Sequence, residues 1–184
     1  PFIRQTDFAG TNYFFYDLNA KMNYQFSQKD RIYLSGYFGR DVLTFAQPGR
    51  DFQFTLPYGN ATATLRWNHL FTEKLFFNLS AIYNDYQFKA GFEQEEFNFD
   101  IFSGVRDFTA KFDFDYFPSN DHQVKTGIHA TKHRLTPNII RGSAGETEFE
   151  NTATAKYANE YAIYLQDDWK INPWFRVNLG LRGT

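Results

Sequence analysis

From Phe14 to Phe26 the side chains alternate in character. Phe14, Tyr16, Leu18, Ala20, Met22, Tyr24 and Phe26 are set against Phe15, Asp17, Asn19, Lys21, Asn23 and Gln25. A period of two sends the two sets to opposite faces of an extended chain, so the segment reads as a β-strand. Its length narrows the choice further. Strands of soluble proteins run to about 5 or 6 residues, whereas a tilted strand crossing the apolar part of a bilayer needs about 9 to 11. A strand of this length, oily on one side and polar on the other, suits a sheet with hydrocarbon against one face and water against the other.

The unit recurs, and eight strands can be drawn. After the polar turn Ser27-Gln28-Lys29-Asp30, Ile32, Leu34, Gly36 and Phe38 share one face. A third strand, Ala61 to Phe71, sets Ala61, Ala63, Leu65 and Trp67 against Thr62, Thr64, Arg66 and Asn68. A fourth carries Phe77, Leu79, Ala81 and Tyr83, and a fifth sets Phe108, Ala110, Phe112, Phe114 and Tyr116 against Asp107, Thr109, Lys111, Asp113 and Asp115. Val124, Ile128 and Ala130 mark the sixth, and Val177, Leu179 and Leu181 the eighth. In the seventh, Glu160 to Ile171, Ala162 and Tyr164 compete with Ile163 and Leu165, and its two faces stay unassigned.

The connections alternate too. Tight turns are expected near residues 27–30, 72–74, 118–122 and 172–174, and long loops over 41–60, 89–105 and 136–158. Short turns at one end and long loops at the other describe an up-and-down meander of the outer-membrane type, with the short turns facing the periplasm. All six prolines are expected outside the strands, because a central strand needs every backbone donor. Aromatics crowd the short-turn ends, among them Phe26, Phe71, Phe77, Tyr116, Trp169 and Trp174, as an interfacial girdle would require.

Composition agrees with this picture. Aromatics make up 21% of the 184 residues, yet the mean hydropathy is −0.55, as expected when oily and polar residues take turns along strands. No stretch has the 18 or more apolar residues of a membrane helix. Nineteen Lys and Arg against 21 Asp and Glu leave a net charge of −2 without a basic block, which argues against nucleic acid as a partner. With no cysteine there is neither a disulfide nor a thiolate metal site.

Several segments resemble barrel strands of TonB-dependent outer-membrane receptors of the Bacteroidetes type. They include Phe14-Phe15-Tyr16-Asp17-Leu18-Asn19-Ala20-Lys21, Lys29 to Tyr37 and Gly59 to His69; most similar is Glu160 to Ile171 with Asn178-Leu179-Gly180-Leu181-Arg182. The resemblance implies an all-β, antiparallel, up-and-down transmembrane barrel of about 22 strands. It also implies a plug domain, coupling to TonB through that plug, and a bacterial outer-membrane location. On this reading residues 1–184 are about eight strands of the barrel wall, with the lipid bilayer, the plug and the remaining strands as partners. Siderophore, vitamin, glycan and peptide importers share such a wall, so the small ligand is not specified. Two other readings are a self-contained eight-strand barrel used as an anchor or adhesin, and a soluble β-domain that binds a partner.

No catalytic constellation, cofactor motif or metal set is legible, and the expected activity is not enzymatic. Asp167 and Asp168 are adjacent in a strand and point to opposite faces. His129 and His133 are spaced i,i+4 in what reads as a strand-to-loop region, not on a helix, so they form no zinc motif. His69 and His122 stand apart from them. In the long loops, Glu93, Glu95 and Glu96, with Asp100 nearby, are candidates for a cationic ligand, and Arg50 and Arg141, with Arg134, for an anionic one.

Overall fold

The computed structural model describes residues 10–46, 49, 51–151 and 153–184. They form nine strands: β1 (Thr11–Gln25), β2 (Asp30–Ala46), β3 (Phe52–Thr72), β4 (Leu75–Gln94), β5 (Phe97–Tyr116), β6 (His122–Ala144), β7 (Thr147–Glu150), β8 (Lys156–Asn172) and β9 (Phe175–Gly183). Every pairing is antiparallel, and the order across the sheet is β1-β2-β3-β4-β5-β6-β8-β9, with the short β7 folded back on β6. The fold is therefore an all-β up-and-down meander. Among the described residues the sheet is open: β1 bonds only to β2, and β9 only to β8.

Because neighbouring strands are in register, each face can be followed across the sheet. Met22 stands opposite Leu34, Leu34 opposite Leu65, Leu65 opposite Ala81, Ala81 opposite Ala110, and Ala110 opposite Ala130. Ala130 in turn meets Tyr161. One apolar row thus passes through seven strands without crossing to the other face. On the other face a polar row passes from Arg66 through Ser80 and Lys111 to His129. In β8, whose faces the sequence left unassigned, Tyr161, Ile163, Leu165, Asp167 and Trp169 join the apolar side, and Glu160, Ala162, Tyr164, Gln166 and Asp168 the polar side.

Burial is inverted relative to a soluble domain. Ala162 is the one buried apolar side chain among the described residues, whereas Leu18 is 70% exposed, Met22 64% and Ile163 60%. Among the described residues the oily rows meet no second layer, unlike the core that the soluble β-domain reading expects. A water-borne sheet would bury such a face at about 25 cal/mol per Å².

The short turns fall where the pattern placed them, and aromatic rings do gather there. His69 and Phe71 rings are 4.6 Å apart, Phe77 and Phe114 4.8 Å, and His122 stacks on Trp169 at 5.4 Å. Three expectations need correction. The supposed long loops are mostly strand: β4 runs to Gln94 and β5 restarts at Phe97, β2 reaches Ala46 before β3 begins at Phe52, and residues 136–144 extend β6 into a hairpin with β7. The described residues accordingly add the short strand β7 to the eight of the meander. Prolines also enter strands, Pro57 in β3 and Pro137 in β6. Both sit at irregularities. The β3–β4 ladder skips from Thr55–Gly91 to Tyr58–Phe88, and the β5–β6 ladder shifts by one residue between Phe102 and Gly104, where the Ser103 hydroxyl donates to the Thr136 carbonyl at 3.1 Å. A missing donor is tolerated at such breaks. Lastly, His129 and His133 lie within β6 and not in a strand-to-loop region.

Candidate functional site

The polar face is a wall of cross-strand pairs. On the β3–β4 pair, Thr62 donates to Asn84 at 3.1 Å, Arg66 to the Ser80 hydroxyl at 3.3 Å, and Asn68 to Asn78 at 2.7 Å. Between β5 and β6, the Thr109 and Thr131 hydroxyls are 3.0 Å apart and Lys125 lies 3.7 Å from Asp115. Facing residues of an antiparallel pair have β-carbons about 5 Å apart, so short polar side chains can bond directly across. Ser80, only 3% exposed, has its hydroxyl taken up in this way.

The densest cluster spans β5, β6 and β8. Asp113 accepts from the Tyr164 hydroxyl at 2.8 Å and meets His129 Nε2 at 2.9 Å. Four residues along β6, His133 Nδ1 meets Asp107 at 2.8 Å, with Glu160 at 3.7 Å. Gly127 makes the first group possible. An added Cβ there would lie 2.5 Å from the Asp113 carboxylate, 2.7 Å from the Phe112 carbonyl and 2.7 Å from the Tyr164 ring. The ring therefore lies over a bare backbone, as aromatics do over strand glycines. The sequence placed a histidine at each of these positions but could not pair them, because the partners lie 16 and 26 residues away and meet only through register.

The other two histidines also bond aspartates, but on the apolar side near the short turns. His69 Nδ1 is 2.6 Å from Asp30, and His122 Nδ1 is 2.7 Å from Asp167. Asp30 lies at the turn itself, where the Ser27 hydroxyl donates to it at 2.6 Å. The bonds from Ser27 and His69 hold its carboxyl below the usual range. Among the described residues no group of three or more His, Cys, Asp or Glu is arranged to hold a metal.

Of the residues singled out in the loops, Glu93, Glu95 and Glu96 come together at the β4–β5 hairpin tip. Glu95 adopts a positive φ of 50° to make the turn, and the Glu96 carbonyl accepts from the Gly145 amide at 3.0 Å, tying this tip to the β6–β7 hairpin. Arg141 stands apart on β6, its guanidinium 2.9 Å from Glu150. Arg134 lies lower on β6, opposite Arg106. Arg50 lies outside the described residues.

A long-stranded open meander with one bare apolar face and one self-bonded polar face defines the class as a membrane β-barrel wall. Residues 78–182, more than half of the chain, match the family described as outer membrane beta barrel domain, and the chain belongs to that family. Its place is the bacterial outer membrane. The chain matches no curated protein sequence. In fold it is similar to the ferric yersiniabactin uptake receptor FyuA from Yersinia pestis, with a TM-score of 0.66 and 10% sequence identity over 92% of this chain and 28% of that one. The chain thus spans a little over a quarter of that receptor's length. In such barrels the outward face is an apolar band and the interior is polar, so the apolar rows face lipid and the polar rows face the interior.

Proposed function

We propose that this chain is a section of the wall of a TonB-dependent receptor that imports a ligand such as a siderophore, vitamin, glycan or peptide. The observation that carries the reading is the open sheet. Hydrocarbon tolerates no unpaired strand edge, so β1 and β9 call for further strands, and a barrel of about 22 strands encloses an interior wide enough for a plug. The likeness in fold to a siderophore uptake receptor supports the same reading. A closed eight-strand anchor would need β1 bonded to β9, which the described sheet lacks.

In this proposal the polar wall meets a plug domain, and TonB acts through that plug. Strands projecting beyond the bilayer form the mouth. Glu93, Glu95 and Glu96 at the β4–β5 tip, with Arg50 and Arg141, belong to its ligand-capturing edge. The work done is transport and not catalysis.

The test is growth of the source bacterium on limiting probes supplied one at a time: a ferric siderophore, cobalamin, an oligosaccharide and a peptide. Deleting the full-length gene should abolish use of one probe, and deleting TonB should abolish use of that same probe. Uptake that persists at the wild-type rate without TonB would make the barrel a passive channel and overturn the proposal.

A further inference from the structure

On the lipid-facing side, Ala81, Ala110 and Ala130 stand side by side on β4, β5 and β6 at one height. The next row towards the extracellular end is bulky, with the Tyr83 and Phe108 rings 5.0 Å apart. The row below carries Leu79, Phe112 and Ile128. The three methyl groups floor an open hollow of about 590 Å³ beneath the Tyr83 and Phe108 rings, running from Leu34 and Leu65 on one flank to Tyr161 on the other.

The rim of this hollow is cationic. Lys132 lines it directly. One register step further out, Arg106 and Arg134 stand opposite each other. Asp85 holds Arg106 at 2.6 Å, but Lys132 and Arg134 are exposed and form no ion pair with a carboxylate of the described residues. Three cations against one carboxylate leave an excess of two positive charges. The Lys132 amine is steered upwards, 5.9 Å from the centre of the Tyr157 ring. Cations on the lipid face are costly at the bilayer centre and nearly free at its interfaces. These sit where the apolar row ends, at headgroup depth.

We propose that this hollow and its rim bind a phosphorylated lipid of the outer leaflet, with an acyl chain over the three alanines and a phosphate between Lys132 and Arg134. Charge complementarity selects this occupant. A zwitterionic lipid fills the hollow equally well but leaves the two cations without a net counter-charge, whereas a phosphate accepts charge-assisted hydrogen bonds from both. The site depends on membrane residence alone and holds whatever the barrel carries.

The test is native mass spectrometry of the full-length protein, purified in detergent and mixed with diphosphorylated lipid A or with dioleoylphosphatidylcholine. Folding is checked by the heat-dependent gel shift. The wild type should retain lipid A about tenfold better than phosphatidylcholine, and the Lys132→Gln/Arg134→Gln protein should lose that preference while still binding phosphatidylcholine. Ala110→Phe, which fills the hollow and keeps the charges, should weaken retention of both lipids. Equal retention of the two lipids by the wild type, or lipid A preference surviving in the double variant, would overturn the site.

Discussion

The two halves of β4 lie on one row of one strand and yet differ in chemistry. From Phe77 through Leu79 and Ala81 to Tyr83 the lipid-facing row is apolar; from Asp85 through Gln87, Lys89 and Gly91 to Glu93 it is not. Its partner β5 changes at the same height, from Phe108 to Arg106, and there the Arg106 and Asp85 side chains bond at 2.6 Å. The backbone ladder ignores the change and continues to Gln94 opposite Phe97. At about 3.3 Å per residue, the 20 residues of β4 extend about 66 Å, or about 50 Å along an axis tilted by about 40°. The apolar band needs only about 25 Å of that. The lower half is patterned by lipid, and the upper half is held only by its neighbours.

Substitutions that treat the halves alike should break apart in effect. Leu79→Arg, in the middle of the lower half, should destabilise the full-length protein by about 2–4 kcal/mol in denaturant titrations from lipid vesicles. A cost no larger than that of a surface change would remove lipid from that face. On the opposite face the expected losses come from packing and bonding instead. Gly127→Ala should cost about 1–3 kcal/mol by driving a methyl group into the Asp113 carboxylate and the Tyr164 ring. Asp113→Ala should cost about 1–3 kcal/mol by leaving the Tyr164 hydroxyl and His129 without their acceptor. A double-mutant cycle with Tyr164→Phe checks the second of these, since additive losses would mean that the Tyr164–Asp113 bond contributes nothing. The smallest effect belongs to the upper half. Gln87→Arg, on the same row as Leu79, should stay within about 0.5 kcal/mol, and a loss near that of Leu79→Arg would carry the bilayer boundary past Asp85.

That boundary also explains where the pattern was legible. Between Phe14 and Phe26, or Arg106 and Phe117, lipid on one side and water on the other force the alternation, and the strands can be read directly. Beyond Asp85 the oily residues change face: Tyr86, Phe88, Ala90 and Phe92 stand opposite in direction to Gln87, Lys89, Gly91 and Glu93, so the row begun by Phe77 and Leu79 breaks off and the segment reads as loop although it is paired throughout. Pro57 and Pro137 sit in those upper reaches, where a skipped or shifted pair absorbs the missing donor. Leu165, Tyr164 and their neighbours in β8 were ambiguous for another reason: both faces carry large side chains, and only pairing with β6 shows that Tyr164 turns towards Asp113 and Leu165 towards lipid.

The sequence by itself determined that the chain is a membrane-crossing antiparallel meander, because side-chain alternation is local and follows from the geometry of an extended backbone. It also marked the short turns and the aromatic edge, which depend on a few neighbouring residues. Only the tertiary structure decided which histidine meets which aspartate, that three alanines from three strands floor one hollow, and that Lys132 and Arg134 crown it. Those are matters of register. Register is set by every ladder across the sheet together, and a shift of one residue would send each of these side chains to the other face.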